Sequence, residues 1–275
     1  MWRIKLVCLF ILGSVSCYSQ DYQPIELAKK LFTTDFPNVQ NYIKGEFKGR
    51  PNKNDLAKGV NTKFKTLTLD HKNAVVNVTV TDSLGKGVDA YLHFERENVW
   101  KITALRGLAM TGLYFQMLED YDKMSDDDIN QLIISNKNNI DSFRSKEEFL
   151  TLMNNIRLTV ALDDDIVKHF KDNQSKFYAL KTEIQKYKNT NPKATSKEIT
   201  AHFKKQIQNL YLTSYGCLDL EWLCEECFSF TIGGMVDNMV GYFYLPNGVK
   251  LPKTNPSRLI MIREIGEGWY MFKTT

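Results

Sequence analysis

Three cysteines near the C-terminal end are the side chains best suited to chemistry. Cys217, Cys224 and Cys227 stand close together in a segment with strand-like flanks. A zinc ion would need four ligands in a structural site. The nearest histidine, His202, falls in the preceding helical segment, and no fourth ligand is evident. Zinc therefore stays an alternative rather than the leading hypothesis.

The Cys224-x-x-Cys227 spacing also occurs in redox-active pairs, which depend on a lowered thiol pKa. Glu225 and Glu226 lie between these two cysteines, and their negative charge opposes thiolate formation. This arrangement disfavours a reactive pair. Structural disulfides, by contrast, are common in exported proteins.

We predict one structural disulfide. If the strands that end at Cys217 and begin at Cys227 run antiparallel, these two cysteines face each other across the loop, and Cys224 is left over. The predicted pair is Cys217–Cys227. Three free thiols are the main alternative.

A second group of side chains that could take part in chemistry is a polar row along one predicted strand: Asp89, Tyr91, His93 and Glu95. They alternate with apolar residues, which places them on one face of the strand. The opposite face must pack on a helix, and it carries Val76, Val78, Val80, Ala90, Leu92 and Phe94. We predict that the polar row is a solvated face without a catalytic residue. A binding surface is the alternative.

No catalytic, cofactor-binding or metal-binding residue is predicted elsewhere. No serine stands in the Gly-x-Ser-x-Gly pattern of a nucleophile elbow. His169 and His202 have no partners at metal-ligand spacing. Clusters of three aspartates at residues 126–128 and 163–165 fit the first turns of helices, where carboxylates meet the positive helix end.

The first residues predict an exported protein. Residues 1–19 combine basic Arg3 and Lys5, an apolar run and small residues before Gln20, which is the layout of a signal peptide. We predict cleavage after Ser19. Lipidation at Cys17 is the alternative, and it would be the protein's only link to a membrane. The expected location is the periplasm, the outer membrane surface or the medium.

The charge balance argues against nucleic acid as a partner. The chain carries 36 Lys and Arg against 32 Asp and Glu, and loss of Arg3 and Lys5 lowers the net charge from +4 to +2. Polyanion-binding domains are usually far more basic. Lysines between residues 181 and 205 are interleaved with Tyr187 and Phe203. These two aromatic residues share the helical spacing of the apolar residues, which indicates that they belong to the core and that the lysines form a solvated helix face.

These residues must be positioned by an α+β fold with two domains, each of helices packed on an antiparallel meander sheet. Residues 20–122 have the order helix, strands, helix, and residues 144–275 have helices followed by strands. Residues 123–143 form a helical connector with a polar, Asn-rich linker at 136–142. Gly266-Glu267-Gly268 predicts a hairpin turn near the C-terminus.

The order of elements in residues 22–122, with a closing strand that carries Trp100-Lys101-Ile102, resembles the cystatin-like or NTF2-like group. That group includes ketosteroid-isomerase-type enzymes and many non-catalytic binding proteins, so the resemblance implies a fold and leaves both functions open. The C-terminal half is similar to uncharacterised small bacterial proteins whose sheet ends in Trp-Tyr, here Trp269 and Tyr270. We expect these two residues to lie in the core and at the edge of the closing strand.

The leading hypothesis is a non-catalytic exported protein that binds another protein or a small apolar ligand, with no cofactor. One alternative is a hydrolase or isomerase whose site the sequence does not reveal. An immunity or inhibitor protein is the other.

Overall fold

The structure is a computed structural model that describes residues 21–135, 143–216, 218, 224 and 226–275. The predicted signal peptide with Cys17, the linker at 136–142 and Cys217 lie outside the described residues. The described part is α+β, as predicted, with two antiparallel sheets of four and five strands. It therefore contains two sheet-bearing regions.

The first region contains helix α1 (Pro24–Thr33), two short 3-10 helices (Val39–Tyr42 and Lys53–Asp55) and strands β1 (Asn61–Leu69), β2 (Asn73–Thr81), β3 (Gly87–Arg96) and β4 (Trp100–Gly107). The strands pair in chain order. Pro24 suits the first position of α1, and a capping box between Gln23 and Glu26 satisfies free amides at the helix start. Leu27 and Leu31 lie on its buried face, against Val76, Leu92 and other apolar residues of the sheet.

Two helices lead to the second region: α2 (Thr111–Tyr121) and α3 (Asp126–Ser135). The second region then contains the helices α4 (Lys146–Thr159), α5 (Asp163–Asp172), α6 (Gln174–Thr190), α7 (Ser196–His202) and α8 (Lys204–Gln208). Its strands are β5 (Ser214–Tyr215), β6 (Phe228–Met235), β7 (Asn238–Tyr244), β8 (Leu259–Gly266) and β9 (Trp269–Thr274), in the order β5-β6-β7-β9-β8. Both predicted aspartate-rich helix starts and the hairpin at Gly266 are confirmed.

An aromatic cluster forms the centre of the second region. The Trp269 ring is fully buried, and its neighbours include Phe170, Phe177 and Phe230. The centroids of the Trp269 and Phe170 rings lie 5.2 Å apart. Tyr270 points the other way and stacks on Phe243 while staying half-buried. The expectation that Trp269 is a core residue is confirmed.

The prediction of a solvated polar row on β3 is wrong. Tyr91 is fully buried, His93 is 5% exposed and Asp89 is half-buried; Glu95 alone in the row is exposed. The reason is that this face of the first sheet packs against the second region, where β1 lies beside β8. Strand alternation separates two faces but does not show whether a polar face is covered by distant parts of the chain.

Polar contacts also join the two regions. The Arg106 Nε on β4 donates to the carbonyl of Pro256 at 2.6 Å, and the Tyr114 hydroxyl on the connecting helix α2 donates to the carbonyl of Gly234 at 2.8 Å. These bonds add to the packing between the sheets. The division into compact units at residues 20–122 and 144–275 stays a prediction.

Candidate functional site

A buried polar cluster lies between the two sheets, and we define it by Asp89, Tyr91, Asp163 and Lys273. The Lys273 ammonium is 2.8 Å from Asp163 Oδ1, and both side chains are almost fully buried, at 4% and 2% exposure. The Tyr91 hydroxyl donates to the same oxygen at 2.8 Å. Strands β3 and β9 and the first residue of α5 thus meet at one carboxylate.

Asp89 supports this cluster from the first sheet. Its Oδ2 accepts the backbone N–H of Asp163 at 2.6 Å. Its Oδ1 accepts bonds from the Asn77 amide, at 2.9 Å, and from the Thr79 hydroxyl. Because both oxygens accept hydrogen bonds from named donors, Asp89 acts as a fixed acceptor at the start of α5.

The electrostatics of the cluster depend mainly on burial. Burial raises the pKa of Asp163, and the charge of Lys273 partly opposes this rise. Burial, and then the negative charge of Asp163, raises the pKa of Tyr91 well above its usual range. The second oxygen of Asp163, Oδ2, is buried and has no hydrogen-bond partner among the described residues.

The buried polar cluster has little room for a substrate. The adjoining cavity measures about 40 Å³ and is lined by Asp89, Lys273, Thr159 and Phe115, among others. Such a volume is enough for a water molecule but is far below that of typical ligand sites. Sequence reasoning placed Asp163 correctly at a helix start but did not reveal its burial or its partner Lys273. Only the pairing of β3, β9 and α5 in space brings these residues together.

His93 lies on the same buried face of β3, between its partners Val75 on β2 and Ala104 on β4. Its Nε2 has no partner among the described residues. Burial, and next the positive charge of Arg106, lower the pKa of His93 to about 4. A neutral, buried imidazole is therefore the ground state at neutral pH.

We expect His93 to make the protein less stable in mild acid. An unfolded histidine titrates near pH 6.5, whereas folded His93 titrates near 4, so the unfolded state takes up the proton first. The stability contribution is complete above pH 6.5 and is lost as the pH falls towards 4. Between pH 7 and 4.5 the loss should reach about 2 kcal/mol.

The measurement is urea unfolding of the wild type and of His93→Gln at both pH values. The variant should lose less stability than the wild type on acidification, by that amount. His71→Gln is the matched control, because His71 is exposed. Equal acid sensitivity of all three proteins would contradict the assignment.

The rings of the other two buried or stacked histidines, His169 and His202, pack on tyrosine rings. The His169 Nε2 lies 3.0 Å from the carbonyl oxygen of Leu210, and its ring stacks on Tyr211. The His202 ring stacks on Tyr187, with centroids 4.3 Å apart. In the part of the chain that the structure describes, no group of three or more His, Cys, Asp or Glu side chains could hold a metal ion.

The cysteine prediction needs correction. The structure joins Cys224 to Cys227, not Cys217 to Cys227. A disulfide is therefore present, but with the partner that was predicted to be left over. Cys227 is fully buried beside Phe243, Leu259 and other apolar residues, which gives the bond a structural setting at the edge of the second core. The Cα atoms of Cys224 and Cys227 lie 5.2 Å apart, so the spacing considered above for a redox or zinc pair holds a disulfide instead.

A groove of about 830 Å³ opens at the β5 edge of the second sheet, between α4 and the helices α7 and α8. We define the groove by its apolar floor and its polar rim. The floor includes Leu152, Ile207, Leu212 and Tyr215, and the rim includes Glu148, Lys197, Thr200, Lys204 and Ser214. Its volume is in the range typical of ligand sites.

Side-chain hydrogen bonds hold the groove walls to the sheet. The Asn155 amide on α4 donates to the carbonyls of Tyr211 and Ile232. The Thr200 hydroxyl on α7 accepts the backbone N–H of Tyr215 at 3.0 Å. Because side chains occupy these backbone groups at the sheet edge, a ligand would be recognised through side chains rather than by adding a strand.

The charged side chains at the rim differ in whether they have a partner. Glu148 accepts the backbone N–H of Arg144 at 2.7 Å, so its carboxylate is engaged at the start of α4. Lys197 and Lys204 form no ion pair with any residue in the described ranges. The groove therefore offers an apolar floor and two cations without an ion-pair partner in the described part of the chain. Sequence reasoning treated these lysines as solvated and did not single out the groove, because its walls come from three separate segments.

No helix within residues 21–135, 143–216 and 226–275 has the length and apolar character needed to cross a membrane. No protein-family model, no curated protein and no solved structure matches the chain.

Proposed function

We propose that the chain is a non-catalytic binding protein that works outside the cytoplasm. Its partner is a short segment of another protein, with an apolar side chain for the floor of the groove and a carboxylate for its rim. The observation that carries this proposal is the presence of Lys197 and Lys204, which form no ion pair within the described residues, above an apolar floor. A small apolar ligand without charge would use the floor but not these cations.

Export is part of the proposal. The Cys224–Cys227 disulfide supports it, because disulfides persist in oxidising compartments and are rare in the cytosol. The signal-like composition of residues 1–19 supports it as well. The resemblance of the first region to the cystatin-like or NTF2-like group is also retained as a proposal. It is supported by helix α1, which packs on a four-stranded meander.

The test is selection of short random peptides, displayed on phage, against the mature protein. Selected peptides should contain acidic and apolar residues. Lys197→Glu/Lys204→Glu should weaken their binding about tenfold or more, because two attractive charge pairs become repulsive. Isothermal titration calorimetry measures the change.

Lys176→Glu/Lys186→Glu is the charge-matched control, since both residues are exposed on α6 and lie outside the groove. This control should bind the peptides as the wild type does. If peptide binding is weakened equally in both double variants, the effect comes from the net charge of the protein and not from the groove, which would contradict the proposed site. Selection of purely apolar peptides, unaffected by Lys197→Glu/Lys204→Glu, would contradict the proposed partner and favour the small apolar ligand.

A further inference from the structure

Lys273 and Asp163 are placed for a reaction with each other. The amine nitrogen and the carboxylate oxygen are 2.8 Å apart, and both side chains are excluded from solvent. Two charges buried this deeply have lost the hydration that normally keeps an ammonium and a carboxylate apart. Loss of solvent in general favours the neutral amine and the neutral acid, which are the forms that react to give an amide.

We propose that the side chains of Lys273 and Asp163 condense into an isopeptide bond. A proton moves from Nζ to the Asp163 carboxylate, and Nζ then attacks Cγ. The Cγ–N bond forms, the bond from Cγ to one carboxyl oxygen breaks, and that oxygen leaves as water with a second proton from Nζ. An ammonium and a carboxylate become one amide and one water, so no oxidant or co-reactant is needed.

The surroundings distinguish the two carboxyl oxygens of Asp163. Oδ1 accepts the Tyr91 hydroxyl at 2.8 Å, so Tyr91 can stabilise the negative charge that develops on this oxygen during attack. Oδ2 is buried without a partner in the described residues, which makes it the oxygen free to take protons and leave. The structure thus supplies one stabilised oxygen and one leaving oxygen.

Asp89 and the adjoining cavity complete the site. The negative charge of Asp89 opposes ionisation of Asp163, which favours the neutral acid. Asp89 also holds the backbone N–H of Asp163 at 2.6 Å and so fixes the start of α5. The cavity of about 40 Å³ beside Asp89 and Lys273 can accept the released water. The product removes two buried charges and ties α5 covalently to β9.

The test is a tryptic peptide map of the reduced, full-length secreted protein by tandem mass spectrometry. The proposal predicts that residues 158–168 are joined to residues 264–275, with the mass of the two peptides less one water, because trypsin does not cleave after an acylated lysine. Separate peptides 158–168 and 264–273, with Lys273 cleaved normally, would overturn it.

Two controls sharpen this result. Lys168 and Asp172 also form an ion pair, but both are exposed at 71% and 56%, so trypsin should cleave after Lys168 and no link should form there. Asp163→Asn should give a linked product of the same mass as the wild type, now by loss of ammonia. Lys273→Arg should give none. A linked product that persists in Lys273→Arg would assign the bond to another lysine and overturn the proposal.

Discussion

Replacement of Lys273 by methionine is expected to lower the free energy of unfolding by at least about 3 kcal/mol. The change removes the lysine nitrogen that lies 2.8 Å from Asp163 Oδ1, so it eliminates both the ion pair and the amide proposed to form from it, and it leaves the buried Asp163 carboxyl group without its lysine partner. A buried charge that loses its partner costs far more than an exposed one. Urea unfolding of the purified protein at pH 7 measures the loss.

Lys168→Met is the matched control. Lys168 pairs with Asp172 on the surface of α5, where solvent screens both charges. Its loss should change stability by less than about 1 kcal/mol. If Lys273→Met is as mild as Lys168→Met, then the buried polar cluster does not hold the sheets together in solution.

Replacement of Trp269 by alanine is expected to cost about 3–5 kcal/mol. The Trp269 ring is fully buried among Phe170, Phe177 and Phe230, so its removal leaves a cavity that rigid aromatic neighbours cannot close. Tyr270→Ala, one position along, removes a half-buried ring and should cost less than about 2 kcal/mol.

Thermal or urea unfolding of both variants decides this prediction. The two substitutions affect adjacent residues of the same strand, whose side chains lie on opposite faces of the sheet. A difference between their losses of unfolding free energy therefore reflects packing on one face of the sheet, not the stability of the strand. Similar losses in the two variants would show that Trp269 is not the centre of the second core.

The sequence predicts the elements of this fold better than their association. Leu27 and Leu31 at helical spacing mark the buried face of α1, and Val76 and Val78 at a spacing of two mark the buried face of β2. Both patterns are local, so they are visible without knowledge of the rest of the chain. The α+β class follows from them.

The candidate sites are not local, and this explains why they were missed. Tyr91 belongs to a polar row that looks solvated until β8 is packed against β1. Asp163 is one of three successive aspartates, and nothing in that run distinguishes the buried one from its exposed neighbours. The role of Lys273 depends on its contact with Asp163, a residue that is distant in the chain.

The cysteine pairing shows the same limit at short range. The prediction required that Cys217 and Cys227 face each other across a loop, whereas the structure closes the bond between Cys224 and Cys227. The choice depends on the path of the intervening chain, which composition does not determine.

The binding role of the groove is tested most directly by amide hydrogen exchange of the full chain with and without a selected peptide. We predict slower exchange in the three segments that form its walls, residues 148–155, 196–208 and 212–215. The outer strands of the first sheet should be unchanged. Slower exchange confined to the first sheet or α2, with none in the three segments, would contradict the proposed site.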